Sequence, residues 1–378
     1  MDVTEEMKKG CDFCTEGNWA EAMKIFTRLA KKGVREAQFN LGLMFADGCG
    51  VDRDFKKAAK WYTKSADQDM VEAQVNLGAL YCEGIGVKKD LAKAYALFES
   101  AANNGYALGQ FRLGLMYENG WNVEQDYSQA AAWYRSAADQ DQADACLALA
   151  RSYGCGWGVT KSETTALNLI EQAVKLESPI AMELLATLYY YGEGVPKSLT
   201  KAYELNRKAA EKGYTPSQVA IGMMYMDGEG VEACPELGVT WFRIAAVQGN
   251  PDAQFNLAIA YDFGKGVEQD YAQAAKWYAM AGDQGNADAL CNLGDMFENG
   301  RGVKQDFDKA FQIYSDSAMK GSWLAVCSLG DMYLKGEGRP ADKAKAIQLY
   351  TEAAKHGCEE AVDELNALGE TIPEIIEE

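Results

Sequence analysis

A glycine-rich stretch near the N-terminus, FADGCGVDRD from Phe45 to Asp54, has the residue types of a ligand-binding loop. Backbone amides of glycine-rich loops bind phosphate, and closely spaced aspartates can bind calcium. The stretch recurs, however, and its first glycine lies at positions 48, 84, 120, 156, 192, 228, 264, 300 and 336. Because a phosphate or calcium site does not need nine evenly spaced copies, the recurrence predicts a structural turn inside a repeat.

Residues that could hold a metal are sparse. Cys11 and Cys14 form one CxxC pair without a second pair, whereas a zinc site usually has four ligands. We expect the ten cysteines to be reduced, mostly buried thiols. The single histidine, His356, is expected in solvent at a helix C-terminus, where the helix dipole favours it. The sequence therefore predicts neither a metal site nor a cofactor.

Two serines stand in the SxxK spacing of lactam-directed enzymes, Ser198 with Lys201 and Ser317 with Lys320. The accompanying SDN and KTG motifs are absent from the chain. One histidine close to the C-terminus does not supply a Ser-His-Asp set. We expect Ser198 to cap a helix and Ser317 to fill a small packing position. The residues thus favour a protein without catalytic activity.

The overall charge restricts the partners. The chain of 378 residues has 37 Lys and Arg against 56 Asp and Glu, a formal net charge of −19. Such a surface repels nucleic acid and anionic membranes. The first ten residues lack the basic and then apolar pattern of a signal peptide, and no apolar run approaches the ~18 residues of a membrane span. We expect a cytoplasmic protein that binds no nucleic acid and does not insert into membranes.

Each 36-residue repeat has the spacing of two amphipathic helices, a first helix A and a second helix B. Leu41, Gly42 and Phe45 mark helix A, and Ala58 and Tyr62 mark helix B, all at i, i+3 and i+4 spacings. Small residues, such as Gly42 facing Ala58, would let the two helices approach closely. We predict helix A near positions 1–11 and helix B near positions 19–32 of each repeat. The nine repeats are 37–72, 73–108, 109–144, 145–180, 181–216, 217–252, 253–288, 289–324 and 325–360.

The glycine loop joins the two helices. Its first glycine is expected to end helix A in a left-handed conformation. The second is glycine in eight repeats and Asn122 in the third, so this position is expected to have a positive φ. Four residues after the second glycine comes a predicted N-cap of helix B. These caps are Asp54, Asp90, Asp126, Ser162, Ser198, Asp270, Asp306 and Asp342, with Cys234 before Pro235 as the exception.

The pattern A-x3-LG-x2-Y-x2-GxGV-x2-D-x3-A-x3-Y-x2-AA-x2-G resembles the Sel1-like repeat, a relative of the tetratricopeptide repeat. The resemblance covers residues 37–360. It implies an all-α fold, a right-handed α-solenoid of helical hairpins. Residues 1–36 are expected to form an N-terminal capping hairpin, and residues 361–378 a C-terminal capping helix with an acidic tail.

The resemblance also implies where partners bind. In tetratricopeptide-like solenoids the A helices line the concave face, so the third, seventh, tenth and eleventh positions of each repeat would contact a partner. Asparagines before the Leu-Gly pair would either bind a partner's backbone or tie neighbouring A helices together. The expected partner-binding residues are Asn40, Asp47, Asn76, Glu83, Arg112, Glu118, Tyr190, Tyr191, Asp227, Asn256, Asp262, Phe263, Asn292, Asp295, Glu298 and Asp331.

The fourth and fifth repeats depart from the pattern, because Ile170 and Asn206 replace the tyrosine of helix B. Tyr190 and Tyr191 extend the fifth repeat's helix A, as either a binding centre or the result of a change in pitch. The predicted function is a non-catalytic scaffold that binds a peptide or protein, with a basic segment, in an acidic groove. The alternatives implied by the family are a β-lactam-directed enzyme, like the cysteine-rich Sel1-like proteins, and an adaptor of a membrane-associated degradation complex.

Overall fold

The computed structural model of the protein describes residues 2–375, which contain 21 α-helices and no β-strand. The helices are α1 (Val3–Thr15), α2 (Trp19–Lys31), α3 (Arg35–Asp47), α4 (Phe55–Ala66), α5 (Val71–Glu83), α6 (Leu91–Asn103), α7 (Ala107–Asn119), α8 (Tyr127–Ala138), α9 (Ala143–Cys155), α10 (Glu163–Lys175), α11 (Pro179–Tyr191), α12 (Leu199–Glu211), α13 (Thr215–Asp227), α14 (Pro235–Val247), α15 (Pro251–Phe263), α16 (Tyr271–Asp283), α17 (Ala287–Asn299), α18 (Phe307–Met319), α19 (Trp323–Lys335), α20 (Lys343–Lys355) and α21 (Glu359–Leu368). The predicted all-α helical-repeat fold is confirmed.

The chain divides into two compact units, Met1–Ala181 and Met182–Glu378. Within the first unit, α1 to α10 pack in sequence order, each helix against the next. Within the second unit, α12 to α21 pack in the same sequential manner. Odd-numbered helices from α3 to α19 are the A helices, and even-numbered helices from α4 to α20 are the B helices. The predicted acidic tail extends into residues 376–378, which lie outside the described residues.

The loops between A and B helices have the predicted backbone conformation. Gly48 ends α3 with φ = 77°, and Gly50 follows with φ = 73°. The equivalent second residue has a positive φ in all nine repeats, including Asn122 at 63°. Eight of the nine predicted N-caps accept a hydrogen bond from the first turn of their B helix, as Asp54 does from the Lys57 amide at 3.0 Å. Cys234 makes no such bond and is followed by Pro235.

In seven of the nine repeats the second glycine also closely approaches the start of the preceding B helix; the exceptions are Asn122 and Gly194, which has open space. A Cβ atom at Gly86 would lie 2.4 Å from the carbonyl carbon of Phe55, the first residue of the preceding B helix. At Gly266 the corresponding distance, to the Pro235 oxygen, would also be 2.4 Å. The loop of one repeat therefore rests on the start of the B helix of the repeat before it, which the sequence pattern does not reveal.

The packing of Gly42 involves a contact that the sequence pattern did not indicate. A Cβ atom there would lie 2.4 Å from ring carbons of Tyr62, so the glycine makes room for the tyrosine ring of α4. At the equivalent Gly114, a Cβ atom would lie close to both the Tyr134 ring and the Ala130 carbonyl oxygen, so the ring needs the space in addition to the facing alanine. The equivalents of Tyr62 in the other repeats that are among the largest fully buried side chains are Tyr134, Tyr278, Tyr314, Tyr350 and Phe242. In most repeats, the core contains an aromatic ring of helix B packed against a glycine of helix A.

The cysteines are free thiols that differ in their exposure. All ten cysteines are free, and four of them are buried, namely Cys146, Cys291, Cys327 and Cys358, whereas Cys11 and Cys155 are exposed. The expectation of mostly buried thiols therefore holds for fewer than half of them.

Across residues 2–375, no helix combines the length and apolarity needed to cross a membrane.

Candidate binding site on the A helices

Tyr62 and the residues at 36-residue intervals from it form what we call the ring position of the B helices. Three of its tyrosines donate a hydrogen bond to an acid at the tenth position of the same repeat. These bonds join Tyr134 to Glu118 (2.7 Å), Tyr278 to Asp262 (3.3 Å) and Tyr314 to Glu298 (2.8 Å). Where the ring position is Phe98 or Phe242, the tenth position is Cys82 or Met226. The acids therefore satisfy buried tyrosine hydroxyls.

The same acids bind cations from the next repeat. Arg151 Nη2 lies 2.6 Å from Glu118 Oε1, and Lys335 Nζ lies 3.7 Å from Glu298 Oε1. Arg301 pairs with both Asp262, at 3.2 Å, and Asp295. The pairs of Glu118 and Glu298 link consecutive A helices, and the Asp262 pair links an A helix to the next A–B loop. Together they neutralise much of the negative charge predicted for a groove.

Burial further reduces the set of acids that a partner could contact. Asp262 is only 4% exposed. Burial raises the pKa of the Glu298 carboxyl, opposed by the Tyr314 hydroxyl and the Lys335 charge. Asp331 accepts a hydrogen bond from Tyr350 at 2.6 Å. Of the predicted acids, the exposed ones are Asp47, Glu83 and Asp227.

The predicted asparagines also have partners inside the protein. Asn76 lies within hydrogen-bonding reach of the Tyr62 hydroxyl, and Asn292 within reach of the Tyr278 hydroxyl. Asn256 donates to the Asp252 carbonyl at 2.8 Å. Asn76 and Asn292 thus contact the B helix before their own A helix, rather than a neighbouring A helix. Asn40 instead lines a cavity beside Cys11, Cys14 and Cys49.

Cavities lie between consecutive A helices at equivalent places in the repeats. One of 250 Å³ in the first unit is lined by Glu83, Phe98, Arg112 and Trp121, among others. Another of 270 Å³ in the second unit, which we call the tyrosine pocket, lies between α11, α12 and α13. It is lined by Tyr190, Tyr191, Asn206, Ala220, Met223, Met224, Asp227 and Glu229.

Asn206 lines the tyrosine pocket at the ring position, where seven of the other eight repeats have Tyr or Phe. The equivalent cavity beside Phe98 is of similar volume, so the feature that distinguishes the tyrosine pocket is the amide at the ring position. Asn206 is only 7% exposed, and its Oδ1 has no hydrogen-bond partner among residues 2–375. The substitution is visible in the sequence, but Asn206, Met223 and Glu229 were not among the predicted site residues. The signal in the sequence was an amide side chain at a position where most repeats have an aromatic ring.

The rim of the pocket combines aromatic and acidic groups. The Tyr190 hydroxyl donates to Glu229 Oε2 at 2.5 Å, and this bond, with burial, raises the tyrosine's pKa to about 12. Tyr191 packs edge-on against Tyr190 and is 63% exposed, and Met223 is 49% exposed. Asp227 pairs with Lys265 at 3.5 Å. The pocket thus presents apolar walls, carboxylates and one unsatisfied amide oxygen.

The groups considered for catalysis have structural roles. Ser198 Oγ accepts the Lys201 amide at the start of α12, and Ser317 Oγ donates to the Ala287 carbonyl at 2.7 Å. His356 stacks on Trp323, with ring centroids 3.8 Å apart, so the expectation of a solvated histidine is wrong. In the described chain, no cluster of three or more His, Cys, Asp or Glu residues could hold a metal ion.

Comparison with known proteins identifies the repeat. The Sel1 repeat family model matches nine consecutive segments, 35–70, 71–106, 107–142, 143–178, 179–214, 215–250, 251–286, 287–322 and 323–358. No curated protein matches the chain.

Two solved structures resemble the chain over most of its length. A protective antigen with an SLR fold from uropathogenic Escherichia coli is 32% identical, with 98% of this chain and 82% of that one covered and a TM-score of 0.67. A Sel1 repeat protein from Oxalobacter formigenes is 33% identical, with 83% and 90% covered and a TM-score of 0.60. Helical repeats of this kind generally mediate protein–protein interactions. With nine consecutive repeats matched, the chain belongs to the Sel1 repeat family.

Proposed function

We propose that the protein is a non-catalytic scaffold that binds a protein partner on its A helices, with the tyrosine pocket as the main contact. The observation that carries the proposal is the group of exposed apolar side chains around this pocket. Tyr191 and Met223 line it, and Leu184 lies on the same helix as Tyr191. Large desolvated aromatic side chains supply most of the free energy at protein interfaces.

The charge of the proposed partner follows from the protein's own charge. The chain has a formal net charge of −19, and the carboxylates of Asp227 and Glu229 line the pocket. Such a surface attracts a basic segment and accelerates its encounter, an effect screened over about 10 Å at 0.1 M salt. We therefore propose a partner with a basic segment, bound without chemical conversion.

The experiment begins with affinity purification and crosslinking mass spectrometry to identify a partner, whose affinity is then measured by titration. Tyr191→Ala and Phe263→Ala remove exposed rings from A helices α11 and α15. Val247→Ala and Met319→Ala are matched controls, since these side chains are equally exposed on B helices α14 and α18. We expect the A-helix variants to weaken binding about tenfold or more, equivalent to about 1.4 kcal/mol, and the controls to leave it unchanged. Equal weakening by both pairs would contradict the proposed surface.

A further inference from the structure

The unsatisfied oxygen of Asn206 indicates what the tyrosine pocket lacks. A buried carbonyl oxygen without a hydrogen bond is unfavourable by about 1–3 kcal/mol, so such atoms normally find a donor. In the Tyr134, Tyr278, Tyr314 and Tyr350 repeats, the ring position supplies a hydroxyl that is hydrogen-bonded within the protein. In the fifth repeat the ring position is Asn206 instead, which lines the cavity with an oxygen that accepts no hydrogen bond from residues 2–375. The missing component is therefore a hydrogen-bond donor that enters the cavity from outside.

The charges around the cavity favour a cationic donor. Glu229 already accepts the Tyr190 hydroxyl, and its carboxylate can accept further donors. Asp227 pairs with Lys265, and both side chains are more than half exposed. Such exposed pairs stabilise a protein by at most about 1 kcal/mol, so the carboxylate can exchange this partner for another. A cation that reaches Asn206 would pass both carboxylates.

The aromatic rim distinguishes between the two cationic side chains. Lys197 Nζ lies 5.8 Å from the centroid of the Tyr190 ring, whereas Tyr191 projects into solvent beside the opening. A planar guanidinium can stack on an aromatic face and donate five N–H groups in several directions at once. A lysine ammonium is a compact, strongly hydrated charge that loses more on entering an apolar cavity. Methionine walls suit the apolar stem of either side chain.

We propose that the tyrosine pocket binds one arginine side chain of the partner, with the guanidinium donating to Asn206 Oδ1 and to the Glu229 and Asp227 carboxylates. This inference rests on the proposed function and specifies the partner residue at its centre.

The test uses the full chain with methyl-labelled methionine, because Met223 and Met224 line the pocket and report on it directly by NMR. The probes are N-acetyl-arginine amide, the corresponding lysine amide, and the citrulline amide, which keeps the shape of arginine but lacks its charge. We expect saturable shifts of the Met223 and Met224 signals with arginine at millimolar concentrations. Binding of the lysine probe should be weaker, and that of citrulline at least about tenfold weaker.

Variants test the geometry. Asn206→Tyr should abolish the arginine-dependent shifts, because it removes the amide oxygen that the guanidinium would contact and places a ring there. It should fold, because Tyr278 is buried at the ring position of a repeat with Ala258 in helix A, and Ala186 is the equivalent of Ala258 in the fifth repeat. Glu229→Gln should weaken arginine binding about threefold or more, whereas Glu232→Gln in the same loop should not change it.

Three results would overturn the inference: equal shifts with arginine and citrulline, no shifts at Met223 and Met224, or unchanged binding in both pocket variants. Partner binding that survives Asn206→Tyr but is lost in Tyr191→Ala would leave the proposed scaffold function standing without the arginine.

Discussion

At the scale of single residues, Glu298 and Tyr314 show that an acid on an A helix has a structural role. The tyrosine hydroxyl donates to the mostly buried carboxylate, whose pKa is already raised by burial. The sixth repeat places Met226 and Phe242 at the equivalent positions, so an apolar pair is a working alternative within the same chain. The two arrangements predict a specific pattern of mutant stabilities.

We expect Tyr314→Phe and Glu298→Met each to lower the free energy of unfolding by about 1–3 kcal/mol, because each leaves a buried polar group without its partner. The double variant should be destabilised by clearly less than the sum of the two, as chemical denaturation in a double-mutant cycle would measure. Glu298→Met also removes the carboxylate partner of Lys335. Because the lysine side chain is exposed, water can solvate its charge, and no buried unpaired charge results. Strictly additive losses would mean that the pair is not coupled.

At the scale of elements, the loop between helices A and B has two separate requirements, a positive φ and a close contact with the preceding repeat. Gly266 and Gly194 separate them, because both have a positive φ but only Gly266 would place a Cβ atom 2.4 Å from backbone, whereas Gly194 has open space. Asparagine tolerates a positive φ. We therefore expect Gly194→Asn to change the free energy of unfolding by less than about 1 kcal/mol and Gly266→Asn to lower it by more. Equal melting temperatures for the two variants would show that the close contact is unimportant.

The elements and their ends were predictable from sequence because each depends on local residues repeated nine times. The left-handed glycines and the aspartate caps depend on backbone conformation and on neighbours within a few residues. The roles of Glu118 and Asp262 were not predictable in this way, since their cation partners lie 33 and 39 residues further along the chain. Exposure at the tenth position was inferred by analogy with related grooves, whereas here the ring-position hydroxyl draws the acid inward. The tyrosine pocket was missed because its lining comes from three helices, whose residues form no motif in the sequence.

At the scale of the whole molecule, tyrosines with a raised pKa occur in both units and couple stability to alkaline pH. Burial is the main cause for Tyr62, which reaches about 12, and for Tyr134, Tyr278, Tyr314 and Tyr350, whose pKa values are raised further by the acids beside them. The pKa of an unfolded tyrosine is about 10. The folded state therefore holds these protons more tightly, and the stability they contribute is complete below about pH 10 and is lost as the pH rises further.

We expect the contribution of these tyrosines to the free energy of unfolding, measured with denaturant, to be nearly constant up to about pH 9. It should fall steeply between about pH 10 and 12. Tyr62→Phe removes one of them while keeping the ring that Phe98 and Phe242 show to be compatible with the fold. Between about pH 9 and about pH 11, the free energy of unfolding of this variant should fall by about 1 kcal/mol less than that of the unmodified protein. Phenolate absorbance supplies the control, because buried tyrosines should ionise together with unfolding, later than exposed ones. Ionisation of all tyrosines near pH 10, before any loss of helical structure, would contradict the network of buried hydroxyls that joins the A and B helices in each unit.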